Sequence, residues 1–143
     1  AFAQSTCVAR QDMNVIGSIL HAHHLARQLF TEHVRGGAKL GDVGRDDGWS
    51  CDSHYFGQFS APRRVRRGDV LSTACVYDSS GKDATGSHSG LGSRNEMCAN
   101  FLVYYPRAYP RHEEQSRLYK RYSGPLSPTA ALAPPAHSLL PPW

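Results

Sequence analysis

The chain has 143 residues, 40% hydrophobic and 20% charged, with a net charge of +4 and a pI near 9.0. That is the size and polarity of one globular domain with a real core, and no apolar run approaches the roughly 20 residues of a membrane-spanning helix. The basic charge is mild and scattered apart from Arg63-Arg64-Val65-Arg66-Arg67, and nothing resembles a nucleic-acid module.

Residues 1–11 read as a short polar segment around Cys7. Residues 13–35 are ambiguous. Leu25, Ala26, Leu29 and Phe30 fit a helical period, whereas Val15, Ile16, Ile19, Thr31 and Val34 fit strands. Gly36-Gly37 and the stretch Gly41 to Gly48 read as turn and loop. From Trp49 to Phe59 aromatics alternate with small polar residues, a strand-like pattern with Cys51 inside. The Arg63–Arg67 run reads as a solvated hairpin edge protected from further pairing. After the turn at Gly68-Asp69, Val70 to Tyr77 is the clearest strand of the chain. Residues 78–95 form a long polar loop, and loops of that length are often functional. A second strong strand, Glu96 to Tyr105, is stopped by Pro106. Residues 112–122 are expected to make a short exposed helix. The rest, with five prolines from Pro128 to Pro142, is expected to be an extended tail. Short strands separated by Gly and Pro turns predict an all-β antiparallel sandwich, jelly-roll-like, over 1–111, followed by the tail over 112–143.

Two features carry chemistry. His21 and His23 lie two residues apart in an apolar run. On a strand both rings leave one face; on a helix they would be about 200° apart and could not share an ion. The only methionines are Met13 and Met97, and Met97 precedes Cys98 after the long polar loop. Two imidazoles and a thioether form a soft set of low charge that favours Cu(I) over Zn(II). On the residues alone, a packed His pair and a core Met account for the same pattern. The four cysteines, spaced 44, 24 and 23 residues apart, suit disulfides and an oxidising compartment better than zinc.

His21-Ala-His23-His24-Leu25, Gly68-Asp69-Val70-Leu71 with Cys75-Val-Tyr77, and Glu96-Met97-Cys98-Ala-Asn100-Phe101 with Tyr104-Tyr105-Pro106 resemble one known pattern. It is the C-terminal domain of the copper type II, ascorbate-dependent monooxygenases, the dopamine β-hydroxylase and peptidylglycine α-hydroxylating monooxygenase family. The resemblance covers about residues 7–107. It implies an antiparallel β-sandwich holding one copper on His21, His23 and Met97, where O₂ hydroxylates a substrate C–H bond. Ascorbate is the implied reductant, and a second copper on a separate N-terminal domain supplies electrons. It also implies a Cys75–Cys98 disulfide and a secreted, extracellular or secretory-vesicle location. Cys7 matches a family Cys whose usual partner near the domain's end has no counterpart after Cys98. That leaves Cys7 to pair with Cys51, or one of them to bond another chain.

His88 in the polar loop, Asn100 and Phe101 are the substrate-pocket candidates under this resemblance, while His24 and His54 are read as structural. Two positions depart from the peptide-amidating branch: Ile19 stands where that branch has a carboxylate-binding Arg, and Phe101 where it has a Tyr. A small-molecule substrate other than a peptide C-terminus is therefore expected. No second His cluster is present to form the other copper site. Two readings stand: a catalytic half whose partner domain is supplied elsewhere, or a non-catalytic extracellular binding module that keeps the fold.

Overall fold

A computed structural model describes residues 1–107 apart from Ser53, Ser79, 81–88 and Ser93. Among the described residues seven strands run in order: β1 (Phe2–Val8), β2 (Met13–Ala22), β3 (Ala26–Arg35), β4 (Ala38–Asp46), β5 (Gly57–Val65), β6 (Val70–Tyr77) and β7 (Cys98–Tyr105). Every pairing between these strands is antiparallel, and they make a four-stranded sheet, β1-β6-β3-β4, and a three-stranded sheet, β5-β2-β7. The expected all-β sandwich is what the described residues form.

Alternation explains the layering. On β2, Val15, Ser18, Leu20 and Ala22 are buried, and on β6 so are Leu71, Cys75 and Tyr77. Side chains from the two sheets meet in a core of two parts. One holds Leu20, Ala22, Leu29, Trp49, Cys75 and Tyr77. The other holds Val15, Val43, Val65 and Leu71. Cys75 of β6 and Cys98 of β7 are disulfide-bonded, so the bridge joins one sheet to the other. β2 and β3 meet in a tight turn, with Ala26 N donating to His23 O at 3.3 Å. This resolves the helix-or-strand ambiguity of 13–35: two strands reverse at His23-His24-Leu25.

Three local expectations are corrected. Residues 1–11 contain a strand, because β1 finds a full register along β6 from Phe2↔Val76 to Val8↔Val70. The stretch Gly41 to Gly48 lies mostly in β4, not in a loop. One of its glycines serves close approach: Gly44 has φ 109°, and a Cβ there would sit 2.6 Å from Ser18 Oγ of the facing sheet. Conversely, Trp49 to Phe56 is a loop, and β5 starts only at Gly57. The aromatic alternation there reflects one buried ring, Trp49, followed by exposed Tyr55 and Phe56. The Arg run does sit on an edge strand, with Arg63 and Arg64 in β5.

The Cys7–Cys51 bond is also corrected: both thiols are free. Cys7 pairs with Leu71 at one end of its sheet, whereas the loop holding Cys51 is tied to Arg27 O near the Tyr77 end. Six strand residues, about 20 Å, separate those ends. His88 and the expected helix and tail over 112–143 lie outside the described residues.

Candidate metal centre

Because Leu20 and Ala22 face the core, His21 on the same strand faces the outer surface of the three-stranded sheet, and His23 follows just beyond the strand end. The two rings meet edge to face with centroids 5.4 Å apart. That separation is within the span of two imidazoles on one ion, each nitrogen roughly 2.0–2.1 Å from it.

Each ring is held through Nδ1. His23 Nδ1 lies 2.7 Å from the carbonyl oxygen of Asn95. A carbonyl only accepts, so His23 carries its proton on Nδ1 and keeps the Nε2 lone pair for a ligand. His21 Nδ1 lies 2.9 Å from His54 Nε2. The His21 imidazole is pushed below its ordinary pKa, first by burial and then by the neighbouring His54 and His23. That favours the neutral form, which metal binding requires.

Met97 is fixed by its backbone. The β2–β7 register pairs His21 with Ala99 and Ala22 with Cys98; His23 and Met97 are each the next residue along. Tyr77 donates its hydroxyl hydrogen to Met97 O at 2.7 Å. The segment before Met97 is anchored to the β2–β3 turn, where Leu25 N donates to Glu96 Oε1 at 3.0 Å. With the disulfide at Cys98, these contacts hold the 95–98 strip against the histidine turn. Among the described residues no group of three or more His, Cys, Asp and Glu side chains is placed to hold an ion.

The pocket candidates separate. Phe101 is on the outer face, 55% exposed, with its ring centroid 6.2 Å from that of His21. It pairs directly across the strands with Ile19, so the two departures from the peptide-amidating pattern are neighbours beside His21. Asn100 is not at the site. Alternation turns it inward, where its Nδ2 donates to Thr31 Oγ1 at 2.9 Å and Val43 O at 2.7 Å, tying the sheets together. His24 is exposed in the turn. His54, read as structural, instead touches His21. Its distance in sequence hid it: it returns to β2 on a loop whose aromatic alternation reads as a strand.

The family model described as copper type II ascorbate-dependent monooxygenase, C-terminal domain, matches residues 3–119. The chain belongs to this family. Tyramine beta-hydroxylase of Caenorhabditis briggsae is 38% identical over 96 residues, which are 67% of this chain and 16% of that protein. Dopamine beta-hydroxylase of Canis lupus familiaris is 34% identical over 95 residues, 66% of this chain and 15% of the relative. DBH-like monooxygenase protein 1 of Mus musculus is 32% identical over 95 residues, with the same coverage. The monooxygenase-family domain thus matches only 15–16% of the length of these relatives.

Proposed function

We propose that this domain is the copper-binding C-terminal half of an ascorbate-dependent monooxygenase, holding one copper ion on His21, His23 and Met97. The observation that carries the reading is the paired imidazoles on one outer face, with both Nδ1 atoms engaged. Extending the β2–β7 register by one step sets Met97 opposite His23, and strand alternation then gives Met97 the same face as the two rings. Two neutral nitrogens and a thioether suit Cu(I), and bound copper supplies the one-electron and O₂ chemistry of C–H hydroxylation.

The chain's own residues do the rest. The Nδ1 contacts orient the two rings, while Tyr77, Glu96 and the disulfide hold the Met97 strip in place. Ile19 and Phe101 give the substrate an apolar wall without a cation or hydroxyl donor. Neither side chain can pair with a carboxylate, so the wall favours a substrate other than a peptide C-terminus. His88, outside the described residues, is a further pocket candidate. The second copper and its electrons come from an N-terminal domain, in a longer protein or another chain, with ascorbate as reductant. The Cys75–Cys98 bridge fits a secreted or vesicle-lumen enzyme.

A Cu(I) competition titration tests the reading. One ion per chain is expected, and Met97→Ile is expected to weaken binding more than ~100-fold, beyond the usual effect of an outer-shell partner. His24→Ala, in the exposed turn, is expected to leave affinity unchanged. Equal affinities for Met97→Ile and His24→Ala would refute the ligand set.

A further inference from the structure

His54 contributes nothing to the core and is exposed, yet its ring is held on two sides. Trp49, 5% exposed and part of the core, meets it edge-on with centroids 5.0 Å apart and planes at 89°. His21 lies on its other side, with centroids 5.0 Å apart and Nδ1 2.9 Å from His54 Nε2. Trp49 is itself fixed, its backbone N donating to Arg27 O at 3.0 Å. A continuous path of ring contacts therefore runs from the core through Trp49 and His54 to His21.

The two rings of the metal pair are not equivalent. His23 faces a carbonyl oxygen, which can only accept, so its tautomer is settled. His21 faces another imidazole, which can donate or accept. If His54 donated from Nε2, His21 would accept at Nδ1 and carry its hydrogen on Nε2, the atom a metal needs. If His54 accepts at Nε2, His21 keeps its hydrogen on Nδ1 and presents a bare Nε2. In that arrangement the remaining hydrogen of His54 is on Nδ1, which its exposure lets water solvate. A metal-bound His commonly donates its other N–H to an acceptor that sets tautomer and ring orientation.

We propose that His54 is a positioning residue for His21: it accepts the Nδ1 hydrogen, fixing the tautomer and ring angle in which His21 Nε2 can bind the metal. This rests on the copper reading above and assigns to the 47–56 loop a part in it.

Nitrogen-15 NMR of the ring nitrogens in the metal-free full chain, at alkaline pH where the imidazoles are neutral, reads the tautomer directly. His21 is expected to carry its hydrogen on Nδ1 in the wild type and to shift towards the Nε2–H form in His54→Ala. Cu(I) affinity is expected to fall about 10–100-fold in His54→Ala and to recover most of the loss in His54→Gln, whose amide oxygen can accept at similar reach. A wild-type His21 protonated on Nε2 would overturn the proposal, even if no variant folded. So would a His54→Ala protein with unchanged tautomer and affinity in which Met97→Ile still abolishes binding; that outcome leaves the copper reading standing. Cu(I) affinity indifferent to Met97→Ile would bring down the copper reading and this proposal together.

Discussion

Asp69 shows how much one buried residue can do at the end of the sandwich away from the histidines. Only 2% exposed, it accepts from Arg35 Nε and Nη2 at 2.8 and 2.7 Å, from His33 Nε2 at 2.7 Å and from Arg66 N at 2.7 Å. The Arg35 guanidinium holds its carboxyl well below the usual range, outweighing burial, which acts the other way. A depressed folded pKa stabilises the protein fully above the unfolded value near ~4 and loses that contribution as pH falls towards the folded value. Denaturant midpoints are therefore expected to hold steady above that range and to fall progressively below it. The Asp69→Asn variant is expected to lose about 3 kcal/mol at neutral pH, the low end for breaking a buried pair because Arg35 is partly exposed, and to show a flatter acid limb. An unchanged acid limb would show that Asp69 does not carry it. The sequence marked Gly68-Asp69 as a turn, but a carboxylate gathering donors from β3 and the turn itself is visible only once the strands are registered. The same holds for Asn100, a pocket candidate under the family resemblance that strand alternation sends inward.

At the level of elements, two features shape the sheet that carries the histidines: a bridge from β7 to β6 and a bulge where β2 meets β5. The Cys75–Cys98 bridge closes a separation of 23 residues, and loop-closure entropy puts its worth at about 3 kcal/mol. The Cys75→Ser/Cys98→Ser double variant is expected to lose that much in urea denaturation and also to weaken Cu(I) binding, since Met97 adjoins Cys98. A loss of stability with full Cu(I) affinity would show that the Met97 strip holds its place without the bridge. Gly17, at the β2 bulge, lies under Phe56: an added Cβ would meet that ring at 2.3 Å and Gly57 O at 2.8 Å. The backbone oxygen cannot swing away, so Gly17→Ala is expected to destabilise by about 1–3 kcal/mol, read by the same denaturation. The strong strands β6 and β7 were legible because β-branched and aromatic residues mark them. β1 and β4 were not, because their polar and glycine-rich sequences become strands only by pairing with β6 and β3. The loop before β5 failed in the opposite sense, its aromatics alternating by chance of burial rather than by pleat.

Across the whole molecule, the sandwich sets its candidate chemistry on an outer surface rather than in its core. Phe101, Val103 and Tyr105 of β7 leave that surface apolar and 41–55% exposed along the strand that leads away from His21. A copper centre on an open face fits a reaction completed with a second domain. With ascorbate and O₂, the chain alone is expected to consume oxygen slowly and without coupled hydroxylation; fast, coupled turnover would show that no second copper is needed. The His-x-His spacing and the Glu-Met-Cys run made the candidate ligands readable before any fold, because strand periodicity and donor softness are local properties. His54 and the Asn95 carbonyl were not readable, because they reach the site through loops. The account rests on one centre made of two imidazoles and one thioether. A copper K-edge X-ray absorption spectrum of the Cu(I)-loaded chain measures that donor set directly. Two imidazole nitrogens and one sulfur are expected, with the sulfur lost in Met97→Ile; a sulfur-free shell in the wild type, or a sulfur that survives that substitution, would contradict it.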